Sequence, residues 1–137
     1  MYQKIMVPVD LAHIERLDKA ITTATDLAKH YGIPICFVGV TAEMATEVAR
    51  TPQEFDAKLK TFGVAQSKQH DLDIDTAAYL SHDPAVDLDE TLIRAAKDNG
   101  ADLIVMASHI PGLPEHIFAS NAGAVAAHAK VSVFVVR

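Results

Sequence analysis

Hydrophobic and polar positions along this chain change several times between two periodicities. Runs of apolar residues, typical of strands covered on both faces, predict five strands. These strands are expected at residues 4–10, 35–40, 74–80, 101–107 and 131–136, and the third has the weakest pattern. The segments between the runs carry apolar residues at helical spacing instead. The pattern therefore predicts strands that alternate with helices.

The helices can be placed by their apolar faces and their end signals. From about Ile14 to Tyr31 one face is apolar, and Gly32 is a typical helix stop. A second helix is expected after Thr51, with Pro52 in its first turn and Glu54 reaching back to the cap amide. The apolar positions of these two helices are Leu17, Ala20, Ile21, Ala24, Leu27, Ala28 and Tyr31, then Phe55, Leu59 and Phe62.

Two further helices are expected in the second half of the chain. Asp83 and Pro84 start one that ends at Asn99-Gly100, and another runs from Ser120 to about His128. The inward positions of the first of these are Ala85, Leu88, Leu92 and Ala95. Segment 41–50 has no clear period, but its composition is compatible with a short helix. We also expect Gly123 to permit close packing of the last helix on the sheet.

Strands separated by helices imply parallel pairing with right-handed crossovers. The expected fold is therefore a three-layer α/β sandwich with a doubly wound, five-stranded parallel sheet. A chain of 137 residues suffices for one such domain and is too short for two. The predicted organisation is a single domain over residues 1–137.

Composition narrows the class of protein. The chain is 50% hydrophobic and 22% charged, with a formal net charge of -6, which argues against a general nucleic-acid binder. It has no apolar run of membrane-spanning length and no signal-peptide pattern at its start, so we expect a cytoplasmic protein without membrane insertion. The single cysteine, Cys36, is expected to be a small buried hydrophobe.

The stretch from Val105 to Gly123 contains the most informative chemistry. A predicted strand passes through a loop containing Pro111, Gly112 and Pro114, and a helix is expected to begin at Ser120. Such strand-to-helix loops receive phosphate groups in α/β proteins, because the helix start offers free amides and a favourable dipole. This stretch therefore predicts an anion site.

Four segments together resemble the universal stress protein family, and they are spread over nearly the whole chain. They are Ile5-Met-Val-Pro-Val-Asp10, His82-Asp-Pro-Ala85, Ala101-Asp-Leu-Ile-Val-Met-Ala-Ser-His109 and His128-Ala-Lys-Val-Ser-Val-Phe-Val-Val-Arg137. The resemblance implies strand order 3-2-1-4-5, the adenine nucleotide alpha hydrolase-like arrangement. It also implies a small stress-response regulatory protein that binds ATP, ADP or AMP.

The family's nucleotide-binding members carry Gly-x-x-Gly after the fourth strand and Gly-Ser or Gly-Thr further on. Here Ala107, Ile110 and Ala119 stand at the glycine positions, while Ser120 keeps the hydroxyl. A short-loop subgroup, with Ala-Ser-His-x-Pro and then Gly-Ser-Asn, is more similar. This chain matches that subgroup at Ala107, Ser108, His109, Pro111, Ser120 and Asn121. We expect Ile110 and Ala119 to crowd the phosphates, and weak or altered binding to follow.

The resemblance implies a set of binding residues near the carboxyl ends of the strands. They are Pro8, Val9, Asp10 and Val40 around the adenosine, Met106, Ala107, Ser108 and His109 after the fourth strand, and Ser120, Asn121 and Ala122 with free amides at the last helix. Purely structural roles are open for several of these residues. Asp10 and Ser120 are residue types that also serve simply as helix caps, and a valine at position 40 is equally expected in the core or at its rim.

Seven histidines invite a metal or catalytic interpretation, but their spacing fits no metal-ligand motif. His13, His30 and His70 are expected at exposed element ends or in loops. His82 is expected to orient the turn that follows it, and His128 to bond the carbonyl end of the last helix. No nucleophile elbow or Walker loop is present, so we expect no catalytic residues and at most slow ATP hydrolysis.

The final apolar run, Val131 to Val136, predicts a partner surface, because an apolar edge strand pairs readily with another chain. The family resemblance implies a homodimer through this strand, and in some members a tetramer. An alternative function follows: a protein that binds no nucleotide and acts through dimer contacts, or that holds a small anion at the Ser120 helix start. A slow hydrolase would instead need turnover that is lost on substituting Ser120 or His109.

Overall fold

Five strands form one parallel sheet in the order β3-β2-β1-β4-β5, as expected. The strands are β1 (Ile5–Pro8), β2 (Ile35–Ala42), β3 (Ile74–Ser81), β4 (Leu103–Ala107) and β5 (Ser132–Val136). This computed structural model describes residues 1–108 and 117–137, apart from the side chains of Ala85 and of residues 117–121. No helix in these two ranges is long and apolar enough to cross a membrane.

Within the described residues, four α-helices connect the strands: α1 (Asp18–Tyr31), α2 (Pro52–His70), α3 (Pro84–Asp98) and α4 (Ile117–His128). A 3-10 helix, Leu11–Arg16, precedes α1. Gly32 ends α1 in the left-handed conformation, with φ 66°, and its amide donates to Ala28 O. This confirms the expected stop, because a residue without Cβ adopts positive φ at no steric cost.

Alternate residues of the central strands enter two separate cores. Ile5, Val7 and Val9 of the first strand and its extension pack with α1 and α2. Met6 lies on the opposite face of the sheet and packs with α3 and α4, as do Ile104 and Met106. Because both faces are covered, these strands are apolar throughout. The three-layer sandwich predicted from the alternation of strands and helices is therefore confirmed.

The start of α2 confirms the predicted cap, with one difference. Thr51 Oγ1 accepts a hydrogen bond from Glu54 N at 3.1 Å, and Pro52 occupies the first turn. Glu54 Oε2 accepts from the amide of Arg50 at 3.0 Å rather than from the amide of Thr51. That hydrogen bond is the main cause of a lowered pKa for the Glu54 carboxyl.

Three local predictions were wrong. Segment 43–50 contains no helix; β2 extends to Ala42, and Thr46 then closes a turn in which its amide donates to Ala49 O. Helix α4 begins at Ile117, three residues before the predicted start at Ser120. Gly123 is exposed, and a Cβ there would meet nothing within 4 Å, so this glycine is not needed for close packing.

Candidate functional site

A crevice opens between β1 and β4, the two strands at which the sheet order reverses. These strands pair at Ile5 opposite Leu103 and at Met6 opposite Ile104. The pairing of β1 with β2 continues to Pro8 opposite Val38, and that of β4 with β5 continues to Ala107 opposite Val136. Open α/β sheets bind their ligands at such a reversal, beyond the carboxyl ends of the strands.

The amino end of the same strand pair is tied closely. The carboxylate of Asp102 accepts hydrogen bonds from the amides of Gln3 and Lys4 at 3.0 and 3.1 Å. The amide of Asp102 donates back to Lys4 O at 3.1 Å. The two central strands are thus fixed together at the amino edge, and the crevice lies at the carboxyl edge.

A cleft of about 180 Å³ lies beside β1 at this carboxyl edge. It brings together three residues that the sequence predicted for the site, namely Val9, Asp10 and Val40. Its remaining lining residues are Leu11, Ala12, Thr41, Ala42, Thr46, Glu47, Val48, Phe55, Pro84 and Leu88. The cleft therefore lies between the loops that follow β1 and β2 and the first turns of α2 and α3.

Asp10 is held in place at the mouth of the cleft by the 3-10 helix that follows it. Its Oδ1 accepts a hydrogen bond from Ala12 N at 3.1 Å, and its Oδ2 lies 2.9 Å from His13 Nδ1. The capping role considered for Asp10 is therefore confirmed.

Other predicted site residues belong to the cores. Pro8 is buried in β1 opposite Val38. Met106 and Ala122 are each 1% exposed and pack in the core under α3 and α4. Ala107, at the end of β4, packs partly buried against the other core. The side chains of these residues therefore support the site from beneath.

Ser108 lies immediately after β4, at the carboxyl edge of the sheet. Its amide donates to Val136 O at 2.9 Å, which extends the pairing with β5. Its hydroxyl Oγ is buried and has no hydrogen-bond partner among the described residues. A buried hydroxyl without a hydrogen-bond partner costs stability.

The phosphate-loop predictions fall largely outside the described residues. His109, Ile110, Pro111, Gly112 and Pro114 lie there, and the side chains of Ala119, Ser120 and Asn121 are not described either. The backbone of α4 does bear on them. The free N–H groups of a helix belong to its first turn, which here begins at Ile117. Ser120, Asn121 and Ala122 lie within α4 (Ile117–His128), and their part in binding stays a prediction.

Sequence reasoning missed the part of the cleft wall formed by residues 41–48. This segment has no period that a pattern analysis can use. The structure shows why it is ordered: Thr46 Oγ1 accepts from Ala49 N at 3.2 Å, and Lys58 Nζ donates to Val48 O. A threonine followed by polar residues signals such a turn only weakly.

The remaining candidate groups have local structural roles. Cys36 is buried as expected, and burial raises the pKa of its thiol to about 11. His128 Nδ1 lies 2.9 Å from Ala124 O, as predicted for the end of the last helix. His82 is 86% exposed and pairs with Glu43 at 3.1 Å, so the expected role in orienting its turn is not observed. The described ranges hold no cluster of metal-ligating side chains.

Comparison with known proteins gives one consistent family. The model of the universal stress protein family matches residues 1–137. Universal stress protein G of Shigella flexneri is 28% identical to this chain, and the match covers all of both chains. The universal stress protein from Archaeoglobus fulgidus in complex with dAMP has a TM-score of 0.72 at 18% identity, over 99% of this chain and 98% of that one. A universal stress protein in complex with cAMP has a TM-score of 0.68 at 18% identity, over 99% and 97%.

Proposed function

Since this chain belongs to the universal stress protein family, we propose that it is a stress-response regulatory protein that binds an adenine nucleotide at the carboxyl edge of its sheet. The base lies in the cleft beside Val9, Asp10 and Val40, and the phosphates extend across the crevice towards Ser108. The observation that carries the proposal is the meeting of these three predicted residues in one cleft next to the open end of the β1–β4 pair.

The chemistry of the cleft suits a nucleoside. Val40 is partly exposed and offers apolar surface to a base above the buried Val9 and Phe55, and Asp10 and Thr41 contribute polar atoms to the lining. A volume of about 180 Å³ is small for a whole nucleotide, since small-molecule pockets usually measure roughly 300–1,000 Å³. The ribose and phosphates therefore need the adjoining crevice. The structural neighbours bound to dAMP and cAMP support this ligand class.

Isothermal titration with ATP, ADP and AMP tests the proposal. Val40→Arg places a long charged side chain in the cleft and should weaken binding at least tenfold, a loss of about 1.4 kcal/mol. Val64→Arg is the matched control, because Val64 is 55% exposed on α2 and does not line the cleft. Flat titrations of the unsubstituted protein at millimolar nucleotide would reject the proposal, as would equal affinities for the two variants.

We also infer that the phosphates meet the short-loop version of the family's phosphate loop. The match at Ser108, His109, Ser120 and Asn121 supports this. Ala119 carries a methyl group where the family has glycine, so Ala119→Gly should tighten ATP more than AMP if that methyl crowds the outer phosphates. An unchanged ratio of the two affinities would contradict the role given to Ala119.

The second proposal is a homodimer formed through β5, which lies at one edge of the sheet and pairs only with β4 among the described strands. Phe134 on this strand is 45% exposed and offers apolar surface to a partner beside the strand edge. Light scattering should give the mass of a dimer, and Phe134→Lys should give that of a monomer, whereas Val64→Lys should not. A monomer at micromolar concentration would reject the dimer without affecting the nucleotide proposal.

A further inference from the structure

A second cavity lies at the opposite edge of the sheet from the nucleotide cleft. It is a groove of about 560 Å³ between the carboxyl-terminal ends of α3 and α4, and we call it the amino-edge groove. Its floor is apolar and consists of Ile93, Ala96, Ala129 and Val131. Ala96 is 2% exposed, while the other three are partly buried. This volume lies within the usual range of small-molecule sites.

The rim of the amino-edge groove is basic. Arg94, Lys97, His128 and Lys130 surround the floor, and Glu90 is the one acidic residue among its lining. Glu90, Ile93, Arg94 and Lys97 have the i, i+3, i+4, i+7 spacing of one helix face. The ion pairs among described residues leave Arg94, Lys97 and Lys130 without an acidic partner. Arg94 instead lies over the ring of Tyr79, 5.8 Å from its centroid. Lys97 and Lys130, which form no ion pair among the described residues, thus lie with Arg94 around apolar surface in a chain of net charge -6.

Helix dipoles explain only part of this arrangement. A basic residue in the last turn is favourable in any helix, and Lys29 of α1, Lys68 of α2 and Lys97 of α3 all follow that rule. Lys130, however, lies beyond the end of α4, and Arg94 lies a turn before the end of α3. The dipole also gives no reason for the apolar floor between the cations.

We propose that the amino-edge groove binds a single-chain amphiphile with a carboxylate head, of the chemical class of the fatty acids. The alkyl chain lies on Ile93, Ala96, Ala129 and Val131, and the carboxylate meets the cations of the rim. An apolar floor without the cations would suit neutral compounds equally well, and the cations without the floor would suit any small anion. The combination selects a molecule that carries both features.

Calorimetry and amide chemical-shift mapping with octanoate, decanoate and dodecanoate, each below its aggregation concentration, test the proposal. Affinity should rise roughly threefold to fourfold with each methylene group buried. The shifted amides should cluster at residues 90–97 and 128–131. Dodecyltrimethylammonium, with the same chain and the opposite charge, should bind at least tenfold more weakly. Equal binding of the two dodecyl compounds, or shifts spread over the whole surface, would overturn the proposal.

Charge reversal gives a matched pair of variants. Lys97→Glu should weaken dodecanoate at least tenfold, whereas Lys29→Glu, a lysine in the last turn of α1, should leave its affinity unchanged. Both variants lose the same favourable interaction with a helix dipole, so a shared loss of stability cannot produce the difference. Equal affinities of the two variants would overturn the assignment of the carboxylate to this rim.

Ionic strength and vesicles complete the test. The screening length falls from about 30 Å at 0.01 M to about 3 Å at 1 M salt, so added salt should weaken dodecanoate binding more in the unsubstituted protein than in Lys97→Glu. A salt response that is the same in both would contradict the role of the cations. Sedimentation with anionic phospholipid vesicles, together with no binding of monomeric dodecanoate, would overturn the proposal in favour of a membrane surface. The nucleotide titrations are independent of these results.

Discussion

The contact between α2 and β3 predicts a change in protein stability whose sign depends on one methyl group. Gly63 lies inside α2 and is buried, and a Cβ added there would lie 2.5 Å from Cγ2 of Thr76 on β3. Real Cβ atoms do not approach another carbon so closely, so Thr76 or the helix must move. Overpacking of this kind costs about 1–3 kcal/mol, and the branched Thr76 has few alternative rotamers.

Two opposing terms then decide the effect of Gly63→Ala. Replacing glycine by alanine inside a helix stabilises it by about 0.8–1.0 kcal/mol. The clash outweighs this gain, so we expect a net loss of about 1 kcal/mol for the single variant. For a domain of this size that loss corresponds to a fall in Tm of about 3–5 °C.

Thr76→Ser removes the methyl group that causes the clash and retains the hydroxyl. In that background Gly63→Ala should raise stability, because the helix-propensity gain remains and the overpacking does not. Gly123→Ala in α4 is the matched control, since a Cβ there meets nothing within 4 Å and only the propensity gain applies. Denaturant unfolding of the four proteins of the cycle measures the coupling, which should exceed about 1 kcal/mol. An equal effect of Gly63→Ala in both backgrounds would refute this account of the contact.

Three further predictions concern single groups. Thr51→Ala should destabilise the protein by about 1 kcal/mol in denaturant unfolding, because the hydrogen bond to the amide of Glu54 is lost. The pKa of the Glu54 carboxyl is lowered on folding. The stability that this carboxylate contributes is therefore complete above its pKa in the unfolded chain and is lost as the pH falls through its pKa in the folded protein. In acid, Glu54→Gln should lose stability less steeply than the unsubstituted protein, as measured by denaturant unfolding. The raised pKa and burial of Cys36 predict that a thiol reagent at pH 8 reacts with it only at the rate of unfolding, and rapid reaction of the native protein would contradict this.

Much of the fold follows from signals that act locally. Apolar runs mark strands buried on both faces, and a glycine such as Gly32 ends a helix through its own backbone preference. These signals need no knowledge of distant residues, and the five strands and the helix stops at Gly32 and Asn99 predicted from them agree with the structure. The helix predicted from about Ile14 begins later, at Asp18, after a 3-10 helix. The short helix considered for segment 41–50 was wrong, because contacts with distant residues order this segment. Its turn is closed by Thr46 and held by Lys58 of α2. Composition cannot report such a contact.

The candidate site was also predictable from the sequence only in part. Val9, Asp10 and Val40 were predictable, because they follow strand ends and parallel strands bring those ends to one edge. Met106 and Ala122 were assigned to the site by resemblance, and their side chains, like that of Val9, fill the core. Their proximity to the site in sequence did not reveal on which face of the strand or helix they lie. The prediction that α4 begins at Ser120 shows a further limit of sequence reasoning. A serine often caps a helix, but it also occurs inside one, as Ser120 does within α4 (Ile117–His128).

The two proposed sites differ in the source of the positive charge that would hold an anion. In a parallel α/β sheet every helix starts at the carboxyl edge and ends at the amino edge, so the dipoles favour anions at the first edge and oppose them at the second. A nucleotide at the carboxyl edge can therefore use backbone amides, and the cleft there needs no basic side chain; the described lining contains none. An anion at the amino edge must be held against the ends of α3 and α4. That groove has the basic side chains which such binding requires, so substituting them should abolish binding there while leaving the nucleotide site unchanged.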